Sequence, residues 1–335
     1  MSLPVLWFVI IAVFWTGYFV LEGFDLGVGA LHRWIGRDDT ERRVAINAIG
    51  PVWDGNEVWL IVGGAAIFAA FPSWYATWFS AGYLALLLLL VALIVRGVSF
   101  EWRGKMPVPA WRGVWSWTLT LGSVLIPVVL GVALGDLLVG LPIDANEEYT
   151  GTFFDLFTPY GVWLGVTLLV LCLLHGATFL GLKTDGAVRE RSSALASRLV
   201  WPSAVLVLVY AVWTHAISET GLWADAMLAI PLIGVVAAAI LLRGGREGAS
   251  FAATAIGIGG VIAALFANLY PYVMVSSTNA ANSLTVEGTA SGQYALTVMT
   301  IVAVVLFPIV LLYQGWTYYV FRKRVSAPTA SATAS

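Results

Sequence analysis

The sequence predicts an all-α, polytopic membrane protein of about nine transmembrane helices, with its N-terminus outside and its C-terminus in the cytoplasm. Three observations carry this expectation. Sixty per cent of the 335 residues are hydrophobic and only 11% are charged, where a soluble domain carries about 25% charged residues. With a mean hydropathy of +0.88, the chain cannot clothe a water-facing surface, although lipid can solvate it. Apolar stretches of membrane-crossing length recur along the chain, separated by short polar connections. Finally, all 17 Lys and Arg residues fall in alternate connections.

A membrane crossing needs about 20 mostly apolar residues, because the hydrocarbon core is about 30 Å thick and a helix rises about 1.5 Å per residue. The first segment, 3–31, is apolar from its first turn. It lacks a basic leader and a small-residue cleavage site, so it reads as a membrane helix and not a signal peptide. The second covers 47–71, and only its second half is strongly apolar. The third covers 74–95 and the fourth 114–139. The fifth covers 159–182, the sixth 199–217, the seventh 223–242, the eighth 250–270 and the ninth 294–321.

The basic residues set the orientation. Arg33, Arg37, Arg42 and Arg43 follow the first segment, and Arg96, Arg103, Lys105 and Arg112 follow the third. Lys183, Arg189, Arg191 and Arg198 follow the fifth, Arg243 and Arg246 the seventh, and Arg322, Lys323 and Arg324 the ninth. The intervening connections, including 144–155 and 276–293, are polar or acidic. The first and fifth segments both start outside and end near Gly-rich stretches (GYFVLEGFD and HGATFLGLKTDG). This suggests two four-helix bundles, 1–139 and 140–270. An outer polar loop with a ninth, peripheral helix follows over 271–321, and then a disordered cytoplasmic tail over 322–335.

A net charge of −2 gives no case for nucleic-acid binding, and the single Cys172, inside an apolar run, reads as a packing residue. The chemistry sits in four carboxylates, since ionisable groups inside a bilayer are costly. Glu22 and Asp25 lie near the inner end of the first segment, and Asp54 and Glu57 near the inner start of the second. Each pair is spaced i, i+3 and so shares a helical face. Four carboxylates so close cannot all be ionised in low dielectric, which makes them candidates for a proton path from the cytoplasm. The competing reading is an acidic rim neutralised by nearby arginines. Arg96 reads as a snorkelling anchor or as a partner for Asp25 or Asp54. Asn56 is placed to hydrogen-bond a carboxylate, while Trp53 and Trp59 read as interfacial belt or packing residues. Gly23 and Gly27 form a small-xxx-small pair that lets another helix approach closely. Of the three histidines, only His175 is deep in a segment, too few ligands for a di-haem cytochrome.

GYFVLEGFDLGVG followed by DDTERRVAINAIGPVWDGNEVWL resembles the opening of the second subunit of cytochrome bd-type quinol oxidases, and PYVMVSSTNAANSLTV and LTVMTIVAVVLFPIVLLYQGWTYY extend the likeness to the ninth segment. The resemblance implies a subunit of a complex that reduces oxygen to water with electrons from a quinol in aerobic respiration. Haems b and d are then held by a homologous first subunit and no metal by this chain. This chain stabilises that haem subunit and adds a cytoplasmic proton path, with Asp25, Asp54 and Arg96 at the family's functional positions and Glu22 where an acid is usual. The resemblance also leaves room for small accessory subunits and for a structural quinone or lipid. Some relatives carry an acid between two tryptophans where this chain has Trp115, Ser116 and Trp117, so a relay through that acid is not expected here. The alternatives are a proton-coupled secondary transporter, whose acids belong at the midplane, and a purely structural partner of the haem subunit.

Overall fold

The computed structural model describes residues 1–218 and 220–326. It contains twelve α-helices among the described residues: α1 (Leu3–Ile35), α2 (Asp39–Ile49), α3 (Trp53–Ala70), α4 (Pro72–Ala81), α5 (Tyr83–Trp102), α6 (Pro109–Val139), α7 (Pro159–Lys183), α8 (Gly186–Ile217), α9 (Leu222–Met227), α10 (Ala229–Arg243), α11 (Glu247–Leu269) and α12 (Gln293–Val320). The predicted segments recur with four changes of boundary.

First, α1 runs to Ile35. At 33 residues it is about 50 Å long, more than the hydrocarbon core requires. Asp25 therefore lies about 15 Å from its inner end, deeper than the segment 3–31 suggested. Second, the segment 47–71 is divided: α2 ends at Ile49, a turn spans 50–52, and α3 begins at Trp53. Its polar first turn explains why eight spans, not nine, pass by length and hydropathy alone among the described residues. Third, Gly82 separates α4 from α5, and α9 and α10 part at Leu228. There Pro231 has no N–H for the carbonyl four residues earlier. Fourth, α8 begins at Gly186, well before the apolar run, because its polar first turns carry no hydropathy signal.

The centre is α1, which packs against α3, α6, α7 and α11; α6 and α11 also lie on α7. Glycines permit the closest crossing. A Cβ on Gly27 would collide with the Cys172 carbonyl, and one on Gly176 would meet the Gly27 backbone at 2.5 Å, so the small-residue pair is a packing device. Residues 271–292 fold across the end opposite the basic residues. There β1 (Tyr272–Met274) pairs with β2 (Leu284–Thr285). The hydroxyls of Ser276 and Thr278 and the Asn282 amide donate to the Ile143 carbonyl. Helix α12 packs along α1 and α3 with most of its apolar side chains exposed. Of the expected tail, 322–326 is tied to the α7–α8 turn, where Val325 N–H donates to the Lys183 carbonyl; 327–335 lie outside the described residues.

Candidate functional site

Helices α1, α3 and α5 bring the charged residues together inside the membrane-spanning body. Glu22, Asp25, Asn56 and Arg96 are fully buried. Arg96 Nη2 lies 2.6 Å from Glu22 Oε1. This is a close charge pair whose N–H is not aligned on the oxygen, so Glu22 accepts no hydrogen bond. Arg96 Nη1 donates to Glu57 Oε2 at 3.4 Å, and Nε to Ser123 Oγ on α6 at 3.3 Å. The approach of α5 to α6 is possible because Gly122 faces the Arg96 Cβ and the Ala92 carbonyl. Both carboxylates around Arg96 come from other helices, which repays part of the cost of desolvating the cation.

Asp25 belongs to a different partner. Asn56 Nδ2 donates to Asp25 Oδ2 at 2.6 Å, while Asp25 Oδ1 is buried without a hydrogen bond. The Tyr18 hydroxyl, one turn before Glu22 on α1, is also buried and unpaired. The expected pairing of Arg96 with Asp25 or Asp54 is therefore replaced by Glu22 and Glu57. The reason is reach: the guanidinium from α5 meets the side of α1 that carries Glu22, whereas Asp25 faces α3. The snorkelling reading of Arg96 also fails, since its side chain is shut off from the surface.

Asp54 is exposed in the first turn of α3, where a carboxylate is favoured by the helix dipole. Glu57, one turn on, is 22% exposed. The acids thus form a series from the surface, at Asp54, through Glu57 to the buried Glu22 and Asp25. Both tryptophans pack against aromatic neighbours. Trp53 stacks on Phe100 with ring centroids 4.5 Å apart. Trp59 lies edge-on to Phe14 and Phe307, over Gly17.

The donor set does not fit a haem. His175 Nδ1 is 2.7 Å from Thr254 Oγ1 and Nε2 is 3.1 Å from the Val20 carbonyl, so both ring nitrogens are engaged. Its ring is stacked on Phe251. His215 is at the surface with Asp225. His32 is held by the Gly29 carbonyl at the basic end, among arginines. Between Trp115 and Trp117, Ser116 accepts from Arg103 Nε at 2.8 Å, and Arg103 and Arg112 both bind Asp39 of α2.

Two residues absent from the sequence-based list join the cluster. Gln314 Nε2 and the Tyr318 hydroxyl, both on α12, donate to Asn56 Oδ1 at 2.8 Å each. A signal for them existed: Gln314 is the lone amide deep in an apolar run, four residues from Tyr318 on one helical face.

Residues 3–321 match the family described as cytochrome bd terminal oxidase subunit II. The chain is 43% identical over 329 residues to cytochrome bd ubiquinol oxidase subunit 2 of Bacillus subtilis strain 168, covering 97% of each chain. It is 36% identical over 358 residues to cytochrome bd-I ubiquinol oxidase subunit 2 of Escherichia coli K12, covering 96% of this chain and 94% of that one. Its fold is similar to that in the structure of bd oxidase from Geobacillus thermodenitrificans, with a TM-score of 0.73 at 21% identity over 96% of this chain and 100% of that one.

Proposed function

Given that the chain belongs to the cytochrome bd terminal oxidase subunit II family, we propose that it is the non-haem subunit of a quinol:oxygen oxidoreductase and supplies a proton-uptake path from the cytoplasm. Family membership replaces the transporter reading. The partner is a homologous subunit I that holds haems b and d, and the substrates of the complex are quinol and oxygen. The observation that carries the proposal is the acid series running from exposed Asp54 through Glu57 to the buried Glu22–Arg96 pair and to Asp25.

The chemistry follows from that series. Reduction of one oxygen molecule to two waters consumes four protons. If they come from the cytoplasm while quinol releases its protons outside, charge is separated across the membrane. The restriction of Lys and Arg to one end of the helices supports a cytoplasmic position for that end. Asp54 collects a proton at the surface. Arg96 pairs with both Glu22 and Glu57, and Asp25 offers one unclamped oxygen to carry a proton inward. Stabilisation of subunit I belongs to the exposed apolar faces of this chain. An apolar cleft of about 470 Å³, lined by Trp15, Leu60, Phe68, Tyr75 and Trp78, suits a quinone tail or a lipid chain.

The test is Asp54→Asn in the assembled oxidase. Turnover is expected to fall by about tenfold or more, as for a lost proton-transfer group, with haem content preserved. Unchanged turnover in an assembled complex removes Asp54 from the path. Loss of the haems makes it a structural residue.

A further inference from the structure

The side chain of Asn56 uses all of its hydrogen-bonding capacity. Its Nδ2 donates to Asp25 Oδ2 at 2.6 Å and to the Leu21 carbonyl at 3.2 Å. Its Oδ1 accepts from Gln314 Nε2 and from the Tyr318 hydroxyl. An amide is nearly symmetric in shape and opposite in sense at its two ends, so neighbours decide which end faces which group. Two of those neighbours come from α12. The Gln314 amide is itself oriented, because its Oε1 lies 3.5 Å from Trp59 Nε1 and an indole N–H can only donate. The order Trp59, Gln314, Asn56, Asp25 therefore has one direction of donation throughout.

Resting on the proton-path reading above, we infer that Gln314 and Tyr318 are positioning residues that hold Asn56 as a donor to Asp25 Oδ2, leaving Oδ1 as the atom where Asp25 takes up and releases its proton. The oxygen that already accepts an N–H is the weaker base of the two, and Oδ1 is buried and accepts from no N–H or O–H. Without the two α12 donors, the Asn56 carbonyl is left buried and unpaired, a cost the side chain relieves by turning away from Asp25. The other groups that bear on Asp25 stay in place: Glu22 on its own helix, Glu57 from α3 and Arg96 from α5, while Cys172 and His175 of α7 lie against Gly23, two residues earlier.

The experiment compares Gln314→Leu, Tyr318→Phe and their double variant with Asp25→Asn in the assembled oxidase, with turnover normalised to haem content across neutral and alkaline pH. The double variant is expected to lose about threefold to tenfold in turnover, the effect of one hydrogen bond. The loss should grow toward alkaline pH, where proton supply limits, whereas a merely structural defect is the same at every pH. If Asp25→Asn is impaired and the double variant is wild-type in rate and pH dependence, the inference fails alone. If Asp25→Asn turns over normally, the proton path through Asp25 fails and the inference with it. Should the double variant not assemble, the single variants decide. Each is expected to lower turnover in the native background and to add nothing beside Asn56→Leu. An undiminished effect there overturns the inference.

Discussion

The guanidinium of Arg96 engages three helices at once: Glu22 on α1, Glu57 on α3 and Ser123 on α6. Removing one member of a buried pair leaves an uncompensated charge at a cost of about 3–5 kcal/mol. Arg96→Leu should therefore lower the stability of the complex by about that amount or abolish assembly, as read from thermal inactivation and haem yield. Arg96→Lys should not restore it, because one ammonium cannot span three partners. A variant Arg96→Leu complex of wild-type stability would mean that Glu22 is neutral without its partner. Glu22 and Asp25 were legible in the sequence because charge inside an apolar run is conspicuous, and Asp54 and Glu57 because they repeat the same i, i+3 spacing at the start of the next segment. Their partners were not, since an arginine side chain reaches several ångströms across helices and pairing depends on which faces meet. Asp25 illustrates this: three residues from Glu22, it turns to an amide on α3 while Glu22 turns to α5.

At the scale of elements, α12 is attached at three levels. Trp7 Nε1 donates to Thr300 Oγ1 at 3.0 Å, Gln314 and Tyr318 bind Asn56, and the residues after the helix form a clasp on α7, α8 and α11. In that clasp Arg324 binds Asp185 at 3.1 Å and Glu247 at 2.8 Å, and Lys183 donates to the carbonyls of Phe321 and Lys323. Hydrogen bonds from Arg324 and Ser326 hold the Asp185 carboxyl below its ordinary value of 3.8. A depressed carboxylate contributes stability above its unfolded value and loses it as pH falls through the folded one. The clasp should therefore be closed at neutral pH and open only below about pH 4. Amide exchange at 321–326 checks this, and Arg324→Ala should raise exchange there at neutral pH. Exchange equal to wild type would show that the backbone bond of Val325 suffices. A second element-scale prediction concerns the α1–α7 crossing. Gly27→Ala drives a methyl group into the Cys172 carbonyl and should cost about 1–3 kcal/mol, measured as a lowered Tm of the complex. Gly55→Ala, with open space around its Cβ position, is the control.

For the whole molecule, the one-sided distribution of Lys and Arg predicts that a reporter fused after residue 335 is active only on the cytoplasmic side. A C-terminus outside would reverse the direction of the acid series. The exposed apolar surface of α3, α5 and α12 must be covered by lipid or by subunit I. Loss of subunit I during purification should leave this chain aggregation-prone in mild detergent, as seen by size-exclusion chromatography.

Composition and the alternation of basic connections determined the class and the number of apolar segments to within one, because burial in lipid constrains hydropathy and charge along the chain itself; the depth of each acid waited on where the helices begin and end. Helix breaks at Gly82 and Leu228, the polar first turns of α8 and the split between α2 and α3 escaped, since hydropathy averages over a window longer than a turn. Only the tertiary structure decided that Glu22 and Glu57 share Arg96 and that Asp25 is held by Asn56 from α3 and, through it, by α12. Such bonds link residues up to 262 positions apart in sequence, and they form only where packing turns particular helix faces toward one another.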